Sequence, residues 1–443
     1  MTNLSSLAGF SAGGSGGSSL PQLFTNNGAP VATQQIDWGD DATRYQHHKS
    51  VIPAQCPSGN LKARDTFGVI SNYFTGDSTS GTTGSDCWSF SVNRSTGAIT
   101  MYSTGKQNLW NNPNYGGVST TYWIYDPIHG RYWSAGHNMY PGTSSNYTGA
   151  TYGQIDSTGA ATSTYTQTGG DHGFNGTYCA ALPQSGSTQT FLSAGYTGSY
   201  AGFRVHEVDA TTHTIGNWTA NGSYSSANSQ FHCIYQPDQT VTTGEPNSIT
   251  GTTFGSPDYG INILRGSTQT YNDNGTTGDG FTSGFGALYQ GHSSTGKSVW
   301  LQDGRAGTLD SSNSPTSLID DGFDLNLNMH GRINYNTHTI GVGSNRYLDF
   351  HYQMSSSTMI HSATAELWEF TSTNQPNPVS QFSLGGKKSI TNVPSFNSSF
   401  FPIYETNTST SPKFIVQVDL EKVGRYNTIR VYELNVDVTT YTA

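Results

Sequence analysis

The chain has 443 residues, and its 19 Lys and Arg against 29 Asp and Glu exclude the clustered cations that hold nucleic-acid phosphates. Only 11% of residues are charged, while Gly numbers 53, Tyr 26 and Phe 20, a turn-and-strand composition whose aromatic content supplies a core and so argues against disorder. No apolar run approaches a membrane span, and the N-terminus lacks the basic start and apolar stretch of a secretion signal, so neither membrane insertion nor ordinary secretion is expected.

In chain order, residues 1–46 read as an arm and linker before a domain at 47–443. Leu4, Leu7 and Phe10 fall near one helical face, Gly13 to Ser19 is a Gly/Ser linker, and Leu20, Leu23 and Phe24 form a second apolar patch. A short apolar plug on a loose linker can dock into a partner's groove, with its ordering cost met on binding, and a frayed terminus is the bland alternative. Removing residues 1–30 is then expected to leave the domain folded. Residues 31–46 are open to a further use, as an extra strand that closes a ring.

The opening Leu4-Ser5-Ser6-Leu7-Ala8-Gly9-Phe10-Ser11-Ala12-Gly13-Gly14-Ser15-Gly16-Gly17 resembles the starts of virion and tail-fibre-like proteins of tailed phages. The resemblance covers about the first twenty residues. It implies an arm that attaches a globular module to other virion proteins on the surface of a particle.

Beyond the arm one phrase returns: an apolar strand end followed by a polar turn. The clearest copies are Phe90-Ser91-Val92-Asn93-Arg94-Ser95-Thr96-Gly97, Gly153-Gln154-Ile155-Asp156-Ser157-Thr158-Gly159 and His206-Glu207-Val208-Asp209-Ala210-Thr211-Thr212. Counting weaker copies, the apolar anchors are Val92, Ile155, Val208, Leu264, Ile319, Phe370 and Leu434, at intervals of roughly 50 to 65 residues, the sequence mark of a repeat fold. Each interval has room for four strands. In the third, strands are expected at 176–182, 188–196, 201–208 and 214–219. Without an amphipathic helix longer than two turns, the expected fold is all-β: a β-propeller of seven blades of four antiparallel strands, since radial closure leaves only short edges. A β-helix or trimeric fibre is the rival, but its rungs would repeat at a much shorter period.

Candidate chemistry is sparse. His47, His48, His172, His232 and His330 stand near expected first strands, where imidazoles could share a metal, although hydrogen bonding between blades is the commoner use. Asp37, Asp40 and Asp41, like Asp320 and Asp321, read as turn chemistry, because neighbours on a strand point to opposite faces. Asn272-Asp273-Asn274-Gly275 with Asp279 is similar to part of a calcium loop whose spacing and closing Glu are missing, so calcium is a weak expectation and no other cofactor is implied. Ser293 to Trp300 resembles the Asp-box turn of sialidase-type propellers, with Thr295 where the Asp should stand. Of the four cysteines, Cys56, Cys87, Cys179 and Cys233, buried free thiols are the default, and a bridge between Cys179 and Cys233 stays open. Absence of nucleophile-elbow, zinc-protease and phosphate-loop motifs argues against an enzyme, short of one whose site is assembled from separate blades.

The remaining signal is aromatic. Trp110, Tyr115, Tyr140, Tyr147, Tyr196, Tyr200 and Tyr224 stand among Gly, Ser and Asn, the vocabulary of adaptable binding surfaces, where rings stack on sugar faces and amides bond hydroxyls; filling gaps between blades is the competing use. Two functions follow: a structural or host-attachment component of a virus particle that touches host polysaccharide, or an extracellular carbohydrate-binding or carbohydrate-active propeller. A self-associating adhesive protein is a third.

Overall fold

A computed structural model describes residues 21–39, 49–57, 60–77, 80–102, 105–112, 122–126, 129–138, 147–168, 175–181, 187–197, 200–212, 214, 219–224, 230–237, 246–254, 260–265, 268–273, 291–292, 298–302, 305–309, 315–320, 338–343, 346–355, 360–370, 376–383, 388–389, 398–419 and 425–441. Among them the strands fall into seven antiparallel sheets, six of which use four consecutive strands. Blade one comprises Lys49–Pro53, Thr66–Asp77, Ser80–Val92 and Ile99–Met101, with Gln107–Asn112 as a further partner of the third strand. Blade two comprises Tyr122–Asp126, Arg131–Asn138, Tyr147–Ile155 and Ala161–Thr168; blade three comprises Asn175–Ala181, Thr188–Thr197, Tyr200–Asp209 and Thr219–Tyr224. Blades four, five and six begin at Gln230–Pro237, Gly291–His292 and His338–Gly343.

The seventh sheet departs from this order. Its first three strands are Ser398–Ile403, Phe414–Asp419 and Tyr426–Glu433, and the fourth comes from the other end of the chain, Ala32–Asp37, paired antiparallel from Ala32 opposite Val431 to Asp37 opposite Tyr426. The first strand of blade one lies against that of blade two, blade two's against blade three's, blade three's against blade four's, and blade six's against blade seven's. First strands that neighbour one another in sequence order are the innermost strands of a ring, and the chain is a β-propeller.

The core explains why the strands are apolar on both faces. Along Phe414–Asp419, Phe414, Val416 and Val418 join a buried cluster with Phe67, Val69, Phe90 and Val92 of blade one, while the intervening Ile415 joins Leu348, Phe350 and Leu367 of blade six. Successive side chains point to opposite faces, so each blade fills the space towards both neighbours. Phe401 tilts on Phe67 at 5.1 Å between ring centroids, and the preceding Phe400 stacks on Phe350 at 4.5 Å. Ile52, Ile70 and Cys87 of blade one likewise meet Tyr132 and Ile155 of blade two.

The repeated phrase has a structural meaning. Val92, Ile155, Val208, Leu264 and Phe370 lie at or next to the end of a third strand, and Leu434 follows one directly. Of these, Val92, Ile155, Val208 and Leu434 are buried. The next residue opens the turn: Asn93 Oδ1 accepts from the Ser95 and Thr96 amides, Asp156 Oδ1 from those of Thr158 and Ala160, and Asp209 Oδ1 from those of Thr211 and Thr212, all within 3.0 Å. One anchor needs correcting. Ile319 lies on Pro315–Asp320, the fourth strand of blade five, where Leu318-Ile319-Asp320-Asp321-Gly322 gives the same succession of apolar residues and polar residues as the end of a third strand.

The arm boundary also needs correcting. Leu23 and Phe24 are each 5% exposed and packed in the core between blades six and seven, with Phe24 stacked on Tyr432 at 4.6 Å. Asn435 occupies the turn position of blade seven; its amide donates to Leu23 O at 2.9 Å and its Nδ2 to Gln22 O at 3.0 Å. The ring therefore includes residues 22–38, ahead of the expected boundary at 47. Leu4, Leu7, Phe10 and Leu20 lie outside the described residues.

Candidate ligand-binding face

Strand alternation gives the ring two distinct ends. At one, here the crossover face, inner strands begin, outer strands end, and the second strand turns into the third. At the opposite turn face lie the other two connections of each blade, including the repeated turns. Trp110 is two residues from the end of Gln107–Asn112; Tyr147 opens a third strand; Tyr196 is next to last in Thr188–Thr197; Tyr200 opens the strand that follows; and Tyr224 closes the outer strand of blade three. All five backbone positions are at the crossover end. Register brings three of them close, with Tyr200 opposite Thr197, and Ala201 opposite both Tyr196 and Tyr224. The side chains of these five lie outside the described set, as do residues Tyr115 and Tyr140 altogether.

The same face carries the seam where the ring closes. Asp37 ends the closing strand and takes a two-pronged ion pair from Arg425, Nε to Oδ1 at 2.5 Å and Nη2 to Oδ2 at 2.6 Å, while its Oδ1 also accepts from the Gly39 amide at 2.9 Å. The Arg425 bond, then the Gly39 amide, hold its carboxyl below the usual carboxylate range. Next in sequence, Trp38 is 1% exposed and donates from Nε1 to Asn427 Oδ1 at 2.7 Å; Asn427 Nδ2 donates in turn to Asp419 O at 2.9 Å. Lys49, at the start of blade one, places its Nζ 5.8 Å from the centre of the Trp38 ring. Burial pushes this amine down to about 7, against the opposing pull of the Asp419 carboxylate. A depressed amine can act as a base or nucleophile, but at 3% exposure Lys49 is out of a substrate's reach and belongs to the seam.

Asp37 thus does more than the turn chemistry expected of it, and Lys49, Asp419 and Asn427 carried no signal of their own in the sequence. Their meeting depends on the first and last blades coming together, which no local pattern encodes.

Among the described residues the other candidates do not assemble a reactive centre. Cys56 and Cys87 are buried free thiols, and burial pushes the Cys87 thiol up to about 12, leaving it protonated and inert. Cys179 and Cys233 lie on the inner strands of blades three and four, their side chains outside the described set. His232 lies near the start of blade four's inner strand; His47, His48, His172 and His330 lie outside the described residues, as do Asp40, Asp41, Asp321, Asn274, Gly275, Asp279 and Thr295. Asn272 and Asp273 end the outer strand of blade four, at the crossover face. Among the described residues no group of three or more His, Cys, Asp or Glu is placed to hold a metal ion, and no helix is long and apolar enough to cross a membrane.

No protein-family model matches the chain, and no curated protein matches it. Similar solved structures include the periplasmic gluconolactonase of Pseudomonas aeruginosa, at 12% identity and a TM-score of 0.41 over 83% of this chain and 100% of that one. The WD40 domain of SCAP from fission yeast is similar at 8% identity and a TM-score of 0.38 over 92% of each chain, and Sqt1 from Chaetomium thermophilum at 11% and 0.43 over 92% of this chain and 99% of that one. At these values the architecture rests on the strand pairing described above.

Proposed function

We propose that the protein is a display module of a virus particle, attached through the residues before Pro21 and offering its crossover face to host-surface polysaccharide. The observation that carries this reading is the opposition of two ends. The chain enters the ring beside Leu434 and Asn435, at the turn face, whereas the aromatic positions Trp110, Tyr147, Tyr196, Tyr200 and Tyr224 are at the crossover face. A tether on one side leaves the other side free to meet a ligand. The likeness of residues 4–17 to virion proteins supports attachment to a particle, and the Tyr, Ser, Gly and Asn composition of the connections supports adaptable recognition.

Incorporation into particles tests the attachment. A chain beginning at Pro21 retains every ring contact of the described residues and is expected to fold with unchanged thermal stability yet to be absent from purified particles that contain the full chain. Equal incorporation of both chains would overturn the tether.

A further inference from the structure

We infer that Tyr426, held by the Arg425–Asp37 pair, is a stacking platform for one sugar ring, so that the crossover face takes saccharide at the closing seam as well as at its aromatic positions in blades one to three. The inference rests on the reading of that face as a polysaccharide site and adds the part contributed by blade seven.

It starts from the alternation of side chains in blade seven. Along Tyr426–Glu433 the buried Asn427, Ile429 and Val431 alternate with the exposed Tyr426 and the half-buried Thr428, Arg430 and Tyr432. Ile429 and Val431 pack with blade one, whereas Tyr432 packs with Phe24 in the core shared with blade six, so Tyr426 and Arg430 belong to the side towards blade six. On the flanking strands Ile36, Val416 and Val418 pack with blade one, which assigns Gln35, Asp37, Gln417 and Asp419 to the same side as Tyr426. That side is apolar at the turn end, through Phe24 and Ile415, and polar from Gln417 and Arg430 to Tyr426 and Asp37. Its polar side chains keep contact with water, at 31% exposure for Arg430 and 43% for Asp37, so the crossover end of this side is open.

Tyr426 stands at that open end. Among the described residues three large hydrophobic side chains are exposed, Val31, Tyr426 and Val436, and of these Tyr426 alone is aromatic and at the crossover face. It is 45% exposed and joins neither of the core clusters that blade seven shares with its neighbours. The Arg425 guanidinium lies over the ring, 5.2 Å from its centre, and is fixed in turn by its two bonds to Asp37. A ring held in this way has little freedom left to lose when a ligand covers it. The seam is closed by the bonds of Arg425 to Asp37 and of Trp38 to Asn427, so the exposed part of the ring is left for another use. It offers a flat apolar surface to the C–H face of a pyranose, and beside it Asp37 supplies acceptors, Arg425 donors and Gln35 both, the groups that bond sugar hydroxyls.

The experiment is a glycan array of glucans, mannans, galactans and uronate-containing glycans, probed with the full chain and with single substitutions checked for unchanged thermal unfolding. Tyr426→Ala is expected to lose roughly tenfold or more in affinity, and Tyr426→Phe, which keeps the ring over Arg425, to bind within about twofold of the wild type. Equal loss in both variants would overturn the stacking. Wild-type binding by Tyr426→Ala, with loss in Tyr196→Ala, Tyr200→Ala or Tyr224→Ala, would overturn the seat at the seam and leave the face standing. No binding by the wild type to any of these glycans, or binding that none of the four alanine substitutions alters, would overturn the face and the seat together.

Discussion

At the scale of single residues, the fold depends on a few positions with no latitude. Gly130 has φ of 65°, and a Cβ there would meet Gln55 N, Ile155 O and Ala54 C, all backbone atoms of the contact between blades one and two. Gly130→Ala should therefore cost at least the ~1–2 kcal/mol of left-handed backbone, read as a lower denaturation midpoint. Asp156 accepts from two amides and from the Thr158 hydroxyl, so Asp156→Ala should destabilise blade two by roughly 1 kcal/mol, measured the same way. Lys49 gives a pH-dependent expectation. Its amine has a folded value of about 7 against an ordinary 10.5, so between those values the unfolded chain binds the extra proton and stability rises with pH. The penalty is absent above about 10.5 and complete below about 7. Melting temperatures of wild type and Lys49→Met from pH 6.5 to 10 should differ in slope, the variant's being flatter; parallel curves would contradict the assignment.

At the scale of elements, the closing strand decides how the ring is held. Phe24 fills the core between blades six and seven, so Phe24→Ala should cost about 3 kcal/mol in equilibrium unfolding, a large fraction of a typical domain's stability. Removing residues 1–30, expected from sequence to be harmless, would take Leu23 and Phe24 with it and should lower stability, whereas removing 1–20 should not. Much of this element order was legible. The phrase around Val92, Ile155 and Val208 marks third-strand ends because it joins a buried anchor to an Asx turn, two local devices readable together. What misled was non-local. Leu23 and Phe24 looked like an exposed plug because their partners, Tyr432 and Leu434, are about four hundred residues away. In blade three the outer strand was expected at 214–219 and lies at Thr219–Tyr224, since the turn after Asp209 closes through Thr214 and leaves a longer connection than a tight hairpin. The aromatic residues could be picked from sequence one by one, but their common end of the ring follows only from strand alternation.

At the scale of the whole molecule, the two ends of the ring differ in kind. The turn face holds the repeated turns and the point where the N-terminal segment joins the ring. The crossover face holds the aromatic positions and the seam of Asp37, Trp38, Lys49 and Arg425. The central claim is that these ends have separate tasks, attachment and recognition. Electron microscopy of virus particles carrying the full chain tests it most directly, by the orientation of the ring in the density. The account predicts a disc whose turn face, marked by Leu434 and Asn435, is towards the particle, with the crossover face outward. A disc with its crossover face buried against a neighbour, or particles without the disc, would contradict it.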